Sequence, residues 1–146
     1  MPQENSKILS IVIPVFNSEA TISDLVNELI THLSKDHQLE VVLVNDYSDD
    51  RSENECIGLF KRYPEIVKFY SLAKNVGEHN AVMAGLNKVK GDWAVIMDDD
   101  FQNPPEEAFK LYNYAEKNTF DIVYGNYKKN KKHNFFRNFI SNINDK

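Results

Sequence analysis

The sequence predicts an α/β fold in which a mostly parallel sheet is flanked by helices. Three observations carry this expectation. β-Branched apolar runs alternate with stretches of helical periodicity, and a polar cluster follows each run. The 146 residues, with an apolar fraction of 42% and 12% aromatics, are enough for one domain with a real core. Strands and helices alternating at this spacing argue for βαβ units.

The first run, "ILSIVIPV", is rich in β-branched residues, ends at a proline and reads as a buried strand. After it, Ile22, Leu25, Val26, Leu29, Ile30 and Leu33 share one face of a helix. A second strand, "EVVLVN", leads through the polar turn "DYSDDRSE" into a helix containing Cys56, Leu59 and Phe60. The third, "IVKFYSL", precedes "AKNVGEHN" and a helix of small residues; the fourth, "DWAVIM", ends at three aspartates. The next helix should be capped by Asn103, with Pro104 at its first position and Glu106 and Glu107 complementing its dipole. A fifth strand, "FDIVYG", follows.

Composition narrows the function classes. No apolar run reaches the roughly 18 to 20 residues that cross a bilayer, and "MPQENSKIL" has no signal-peptide core, so a cytosolic chain is expected. The single cysteine, Cys56, reads as a small buried filler. Residues 126–146 carry 6 Lys and Arg against 1 acidic residue, on a body where acidic residues predominate. That basic segment is either a solvated charge run or a contact for a phosphate or an anionic membrane surface. An acidic body disfavours nucleic acid.

Parallel sheets bind ligands at the carboxyl ends of their strands, where all the polar clusters fall. Asp98, Asp99 and Asp100 end the fourth run; alternation along an extended chain would put Asp98 and Asp100 on one side and Asp99 on the other. Paired carboxylates suit Mg²⁺ or Mn²⁺, which complete their shell with water and phosphate oxygens. Capping of the next helix is assigned to residues 103–107 and leaves the aspartates unexplained, which favours the metal. Asn45 and Asp46 are equally consistent with an Asx-type turn and with recognition of a base or ribose. The same ambiguity holds for Pro14 to Glu19 in "PVFNSE", and Gly77 is a weak sign of a helix amino terminus near a diphosphate.

In the order "IPVFN", "VNDYSDD", "NVGEHNAVMAG", "MDDDFQNPPEE" and "FDIVYG", these clusters strongly resemble the family 2 glycosyltransferases of the GT-A fold, a Rossmann-like architecture. "DDDFQNPPEE" is similar to the version in polyprenyl-phosphate glycosyltransferases, including dolichyl-phosphate mannosyltransferases and bacterial undecaprenyl-phosphate sugar transferases. The resemblance spans residues 8 to about 143. It implies that Pro14, Asn17 and Glu19 line the nucleotide pocket, that Asp46 meets the base, and that Asn75 and Gly77 lie near the nucleotide or sugar. Asp98 and Asp100 would hold the metal and diphosphate, with Asp99 counted among the donor-binding residues and Gln102 near the donor sugar. Arg137 and Ser141 resemble the segment that meets the acceptor's phosphate.

The implied activity is inverting transfer of a sugar, from a UDP-sugar by preference, to a polyprenyl phosphate at the cytoplasmic face of a bacterial membrane. The lysines at 128, 129, 131 and 132 would join Arg137 in drawing in the anionic acceptor. Exposed aromatics at Phe135, Phe136 and Phe139 suggest a face covered by a further portion, a partner or a membrane, and a homo-oligomer is among the partners considered. The chain resembles an amino-terminal fragment of a single catalytic domain. Departures from the pattern are Asn45 and Tyr47, where many relatives have an aspartate and a small residue, and Tyr127, where an arginine is frequent. Alternatives are a family 2 enzyme glycosylating a polysaccharide or glycan hydroxyl, and a fragment that only binds nucleotide-sugar. A haloacid-dehalogenase-type phosphatase is disfavoured, since Phe101 and Gln102 follow the aspartates and the motif lies on the fourth strand.

Overall fold

The structure, a computed structural model, describes residues 7–33, 38–101, 104–125 and 139–142. Among these, the elements run β1 (Ile8–Val15), α1 (Ile22–Leu33), β2 (Gln38–Asn45), α2 (Ser52–Arg62), β3 (Val67–Ser71), α3 (Glu78–Leu86), β4 (Trp93–Ile96), α4 (Pro105–Asn118), β5 (Ile122–Tyr124) and β6 (Phe139–Asn142). They form one sheet in the order β3-β2-β1-β4-β6-β5. The first four strands are parallel, while β6 runs antiparallel to both β4 and β5.

Pleat alternation sorts the core into two layers. Leu9, Ile11, Ile13 and Val15 of β1 join Val41 and Leu43 of β2 beneath α1, α2 and α4, together with Leu25, Leu29, Leu59 and Tyr112. The alternate residues Val12, Val42 and Val44 face the other way, against Ala81 of α3. Gly85 lets α3 come close: a Cβ there would lie 2.5 Å from a Val12 methyl. Cys56 is fully buried in α2, as expected of a filler.

The strand order reverses at β1, because β2 and β3 lie on one side of it and β4 on the other. A crevice at such a switch point is where parallel sheets hold ligands. Pro14 helps to open it. The Val12 carbonyl accepts the Met97 amide, so Pro14, two residues on, faces the same side, where the β1–β4 register has already ended at Val12↔Ile96. Its missing N–H therefore costs the sheet no ladder bond.

One expectation is corrected. Pro104 is not the first helical residue: it precedes a second proline, which holds it extended (φ −60°, ψ 146°), so the helix begins at Pro105. Asn103 lies outside the described residues. A sixth strand was not anticipated: residues 139–142 form β6, with Ser141 opposite Ala94 and Ile140 opposite Val95. Four residues ending in Ser-Asn carry no strand signature of their own, and pairing with β4 and β5 supplies what the local sequence lacks.

At the amino ends of the strands a buried carboxylate closes the sheet. Glu40 Oε2 accepts the Ser10 hydroxyl (2.6 Å) and the Lys90 amide (2.8 Å), and Ser10 Oγ in turn accepts the Gly91 amide (3.0 Å). Ile8 and Asp92 add a reciprocal pair of hydrogen bonds, each 2.9 Å.

Candidate functional site

Each of the four parallel strands runs into a loop containing a residue with positive φ: Asn17 (53°), Tyr47 (60°), Gly77 (87°) and Phe101 (59°). Left-handed backbone costs a non-glycine residue on the order of 1 kcal/mol, and such strain gathers where a fold holds functional loops in place. Four of the five positive-φ residues among the described residues thus gather at the carboxyl end of the sheet, the fifth being Thr119 (53°) at the end of α4.

The loops after β1 and β2 interlock. The Asn17 amide donates to Ser48 Oγ (3.1 Å), and Asn17 Oδ1 accepts the Asp49 amide (2.9 Å). The Ser18 amide donates to Ser52 Oγ (2.7 Å) and the Glu19 amide to Asp50 Oδ2 (3.1 Å). Glu19 Oε2 accepts from the Arg51 amide (2.8 Å) and from its guanidinium Nε (3.2 Å). Asn45 Oδ1 accepts the Ser48 amide and hydroxyl, an Asx-type turn, while its Nδ2 donates to Ser71 Oγ. Asn17 and Glu19 therefore sit on the rim with side chains that brace a neighbouring loop. Burial works to raise the Asp50 pKa, but hydrogen bonds from Ser52 and Glu19 outweigh it and hold the carboxyl below its ordinary value. Beside these braces, Phe16 and Tyr47 expose 46% and 54% of their surface, leaving two aromatic rings at the rim. Pro14 lies below it, buried in β1.

Asp46 is also a brace. Buried at the end of β2, it accepts the Val76 amide at Oδ1 (2.8 Å) and the Gly77 amide at Oδ2 (2.9 Å). This draws Asn75 and Gly77 toward the end of β2. Gly77 caps α3 at φ 87°, ψ 152°, a region essentially closed to other residues, and a Cβ there would meet nothing within 4 Å. Glycine is required here by backbone angle and not by crowding.

Strand β4 ends at Ile96, with the Met97 amide still bonded to the Val12 carbonyl (3.0 Å). The aspartates consequently lie in the loop beyond the strand, and pleat alternation does not orient them. Asp98 is half-buried and Asp100 exposed. Asp99 Oδ2 accepts the Phe16 amide (3.1 Å) and, by a short contact, the Ser18 hydroxyl; the Asp99 carbonyl accepts the Thr21 hydroxyl (2.7 Å). Burial raises its pKa, opposed by the bonds from Ser18 and Phe16. Cys56 takes no part, its thiol pushed up to about 12 by burial and neighbouring carboxylates.

The fold thus gathers Asn17, Glu19, Asp46, Asn75, Gly77 and the three aspartates at one end of the sheet. Gln102, Arg137 and the lysines at 128, 129, 131 and 132 lie outside the described residues, and Ser141 is placed on β6. Sequence reasoning missed the hydroxyls of Ser18, Thr21, Ser48 and Ser52, which make several of the braces. The run of Ser and Asp in "DYSDDRS" was the available signal.

The carboxylates suit a divalent cation. Among the described residues no three His, Cys, Asp or Glu side chains gather on one point, so the chain offers hard oxygen donors without a full cage. Mg²⁺ or Mn²⁺ shared with a diphosphate asks for such a donor set, one or two carboxylates with substrate oxygens and water completing the shell.

A sequence profile described as "Glycosyl transferase family 2" matches residues 10–145. The chain belongs to this family. It is 36% identical over 138 residues to the undecaprenyl-phosphate 4-deoxy-4-formamido-L-arabinose transferase of Edwardsiella ictaluri, covering 94% of this chain and 42% of that relative. Against the protein of the same name from Photorhabdus laumondii, identity is 34% over 98% of this chain and 44% of the relative. This family 2 chain accordingly spans less than half the length of these relatives. Among solved structures, the mannosyltransferase PcManGT from Pyrobaculum calidifontis, in complex with GDP-Man and Mn²⁺, superposes with a TM-score of 0.73 at 17% identity, over 86% of this chain and 37% of that one. S. aureus TarS gives 0.68 at 18% identity, over 92% and 46%. These likenesses establish the GT-A fold.

Proposed function

We propose that this family 2 chain carries the nucleotide-sugar site of a transferase that moves a sugar, from a UDP-sugar by preference, to a polyprenyl phosphate with inversion at the anomeric carbon. The observation that carries it is the 36% identity, over 94% of the chain, to a transferase named for undecaprenyl phosphate. The site supports the reading chemically. Phe16 and Tyr47 offer rings to a base, the loops braced by Asp46 and Glu19 wall the nucleotide, and Asp98 and Asp100 face the diphosphate at the switch point between β1 and β4.

A lipid phosphate is already anionic at neutral pH, so its oxygen attacks the anomeric carbon as the bond to the nucleotide diphosphate breaks, and no strong general base is needed. The chain's task is then to position donor and acceptor in line. A divalent cation held by Asp98 and Asp100, Mg²⁺ or Mn²⁺, supplies charge stabilisation for the departing diphosphate. Gln102 is assigned to the donor sugar. Arg137, Ser141 and the lysines of the basic segment are assigned to the acceptor phosphate at the cytoplasmic membrane surface. No helix among the described residues is long and apolar enough to cross a membrane.

A second reading is a chain that binds the donor without turnover. Calorimetric titration of UDP and GDP with and without Mn²⁺ tests the site itself. Metal-dependent binding of one nucleotide, lost in Asp98→Ala plus Asp100→Ala, is the expected result. A folded chain that binds neither nucleotide would sink the donor-site reading. Transfer of sugar to a polyprenyl phosphate by this chain would exclude the binding-only reading.

A further inference from the structure

We propose that Asp99, the middle aspartate, is a positioning residue that ties the loop after β1 to the end of β4, so that the base side and the diphosphate side of the pocket act as one unit. The inference rests on the donor-site reading and adds to it a division of labour within the triple aspartate.

Asp99 Oδ2 accepts both the Phe16 amide and the Ser18 hydroxyl, and the Asp99 main-chain carbonyl accepts the Thr21 hydroxyl. Three points of attachment thus span 16–21, the whole connection between β1 and α1. The opposite side of that loop is held by Ser48 and Asp50 of the loop after β2 and by Ser52 at the start of α2. Cut on the Asp99 side, the loop would keep its link to β2 and lose its only such link to β4 among the described hydrogen bonds. No diffusible cation is needed for this tether, since its partners are all groups of the chain. Hydrogen bonds to a charged acceptor in a partly buried place are stronger than neutral ones, and an amide or hydroxyl left without its acceptor is costly. The acidic cluster therefore holds two different tools. In the donor-site reading Asp98 and Asp100 serve the donor's diphosphate, and Asp99 holds the wall.

The test compares Asp99→Asn and Asp99→Ala with Asp100→Ala by titrating UDP and GDP, each with and without Mn²⁺, alongside hydrogen exchange of the 16–21 peptide. For the nucleotide that the wild type binds, Asp99→Ala should weaken affinity about tenfold both with and without metal, the scale of one charge-assisted hydrogen bond, leaving the metal-dependent gain intact. Asp99→Asn, which keeps one acceptor oxygen, should recover part of this. Asp100→Ala should remove the gain and spare metal-free binding. Faster exchange at Phe16 should accompany the Asp99 variants alone. Loss of the metal-dependent gain in Asp99→Asn would overturn the proposal by making Asp99 a metal ligand. Unchanged affinity in folded Asp99→Ala would overturn it by making the contact merely structural. Should the wild type bind neither nucleotide, the donor-site reading falls and takes this role with it. Failure of the inference alone looks different, because wild-type binding would then persist unaffected by Asp99 substitution.

Discussion

Each end of the sheet is organised by buried carboxylates, put to opposite uses. At the amino end, Glu40 closes a small network with Ser10, Lys90 and Gly91, and β1 meets β4 so tightly that a Cβ on Gly91 would lie 2.5 Å from Ser10 Oγ and 2.7 Å from the Ile8 carbonyl. At the carboxyl end, Asp46 and Asp99 tie loops to the strand ends, each parallel strand is followed by a positive φ, and Gly77 has open space around it. Carboxylates thus serve a packed closure at one end and the bracing of loops at the other. Crowding marks the amino end, and four of the five positive-φ residues among the described residues gather at the carboxyl end.

Substitutions at the two ends should separate stability from binding. The largest effect is expected for Gly91→Ala, where the clash involves backbone as well as Ser10, and a loss of about 3 kcal/mol should appear in urea unfolding followed by the single tryptophan, Trp93. Nucleotide affinity of the folded protein should not change. Glu40→Ala comes next, at about 2 kcal/mol, because it strands the buried Ser10 hydroxyl and Lys90 amide. Glu40→Gln, which keeps an acceptor oxygen, should cost less than half of that in the same assay.

At the rim the sign reverses. Tyr47→Gly removes the left-handed penalty at φ 60° and should raise stability by about 0.5 kcal/mol, net of the greater freedom of the unfolded glycine, while weakening nucleotide binding. A variant that gained stability and kept its affinity would break the link between strain and function. The smallest effect concerns acid. Asp50 has a folded pKa below its ordinary value of 3.8, so its contribution is present above that pH and fades as pH falls through the lowered folded value. Asp50→Asn should flatten the acid limb of a stability–pH curve in that window only. Cys56 offers a control at neutral pH: with its thiol pushed up to about 12 and buried, alkylation should await unfolding.

Much of the fold was legible because periodicity is a local property. The β-branched runs at 8–15 and 40–45 and the helical face from Ile22 to Leu33 each announce themselves within a few residues, and all are found. Strand β6 was not legible, since its pairing with Ala94 and Val95 lies more than forty positions away in the chain. At the site, the residue types and their order at the strand ends were readable. The orientation of the aspartates was not, because β4 stops at Ile96 and the chain turns through Phe101 at φ 59°.

By itself, then, the sequence determined the alternation of strands and helices, the polar clusters at the strand ends, and the resemblance those clusters carry. Hydrophobic period and turn chemistry are written in neighbouring residues, so no folded partner is needed to read them. Only the tertiary structure decided which carboxylates would be spent on the fold. Asp46 and Asp99 look no different in sequence from Asp98 and Asp100. The amides of Phe16, Val76 and Gly77 that claim them lie 30 to 83 positions away, and folding alone brings these donors within hydrogen-bonding distance.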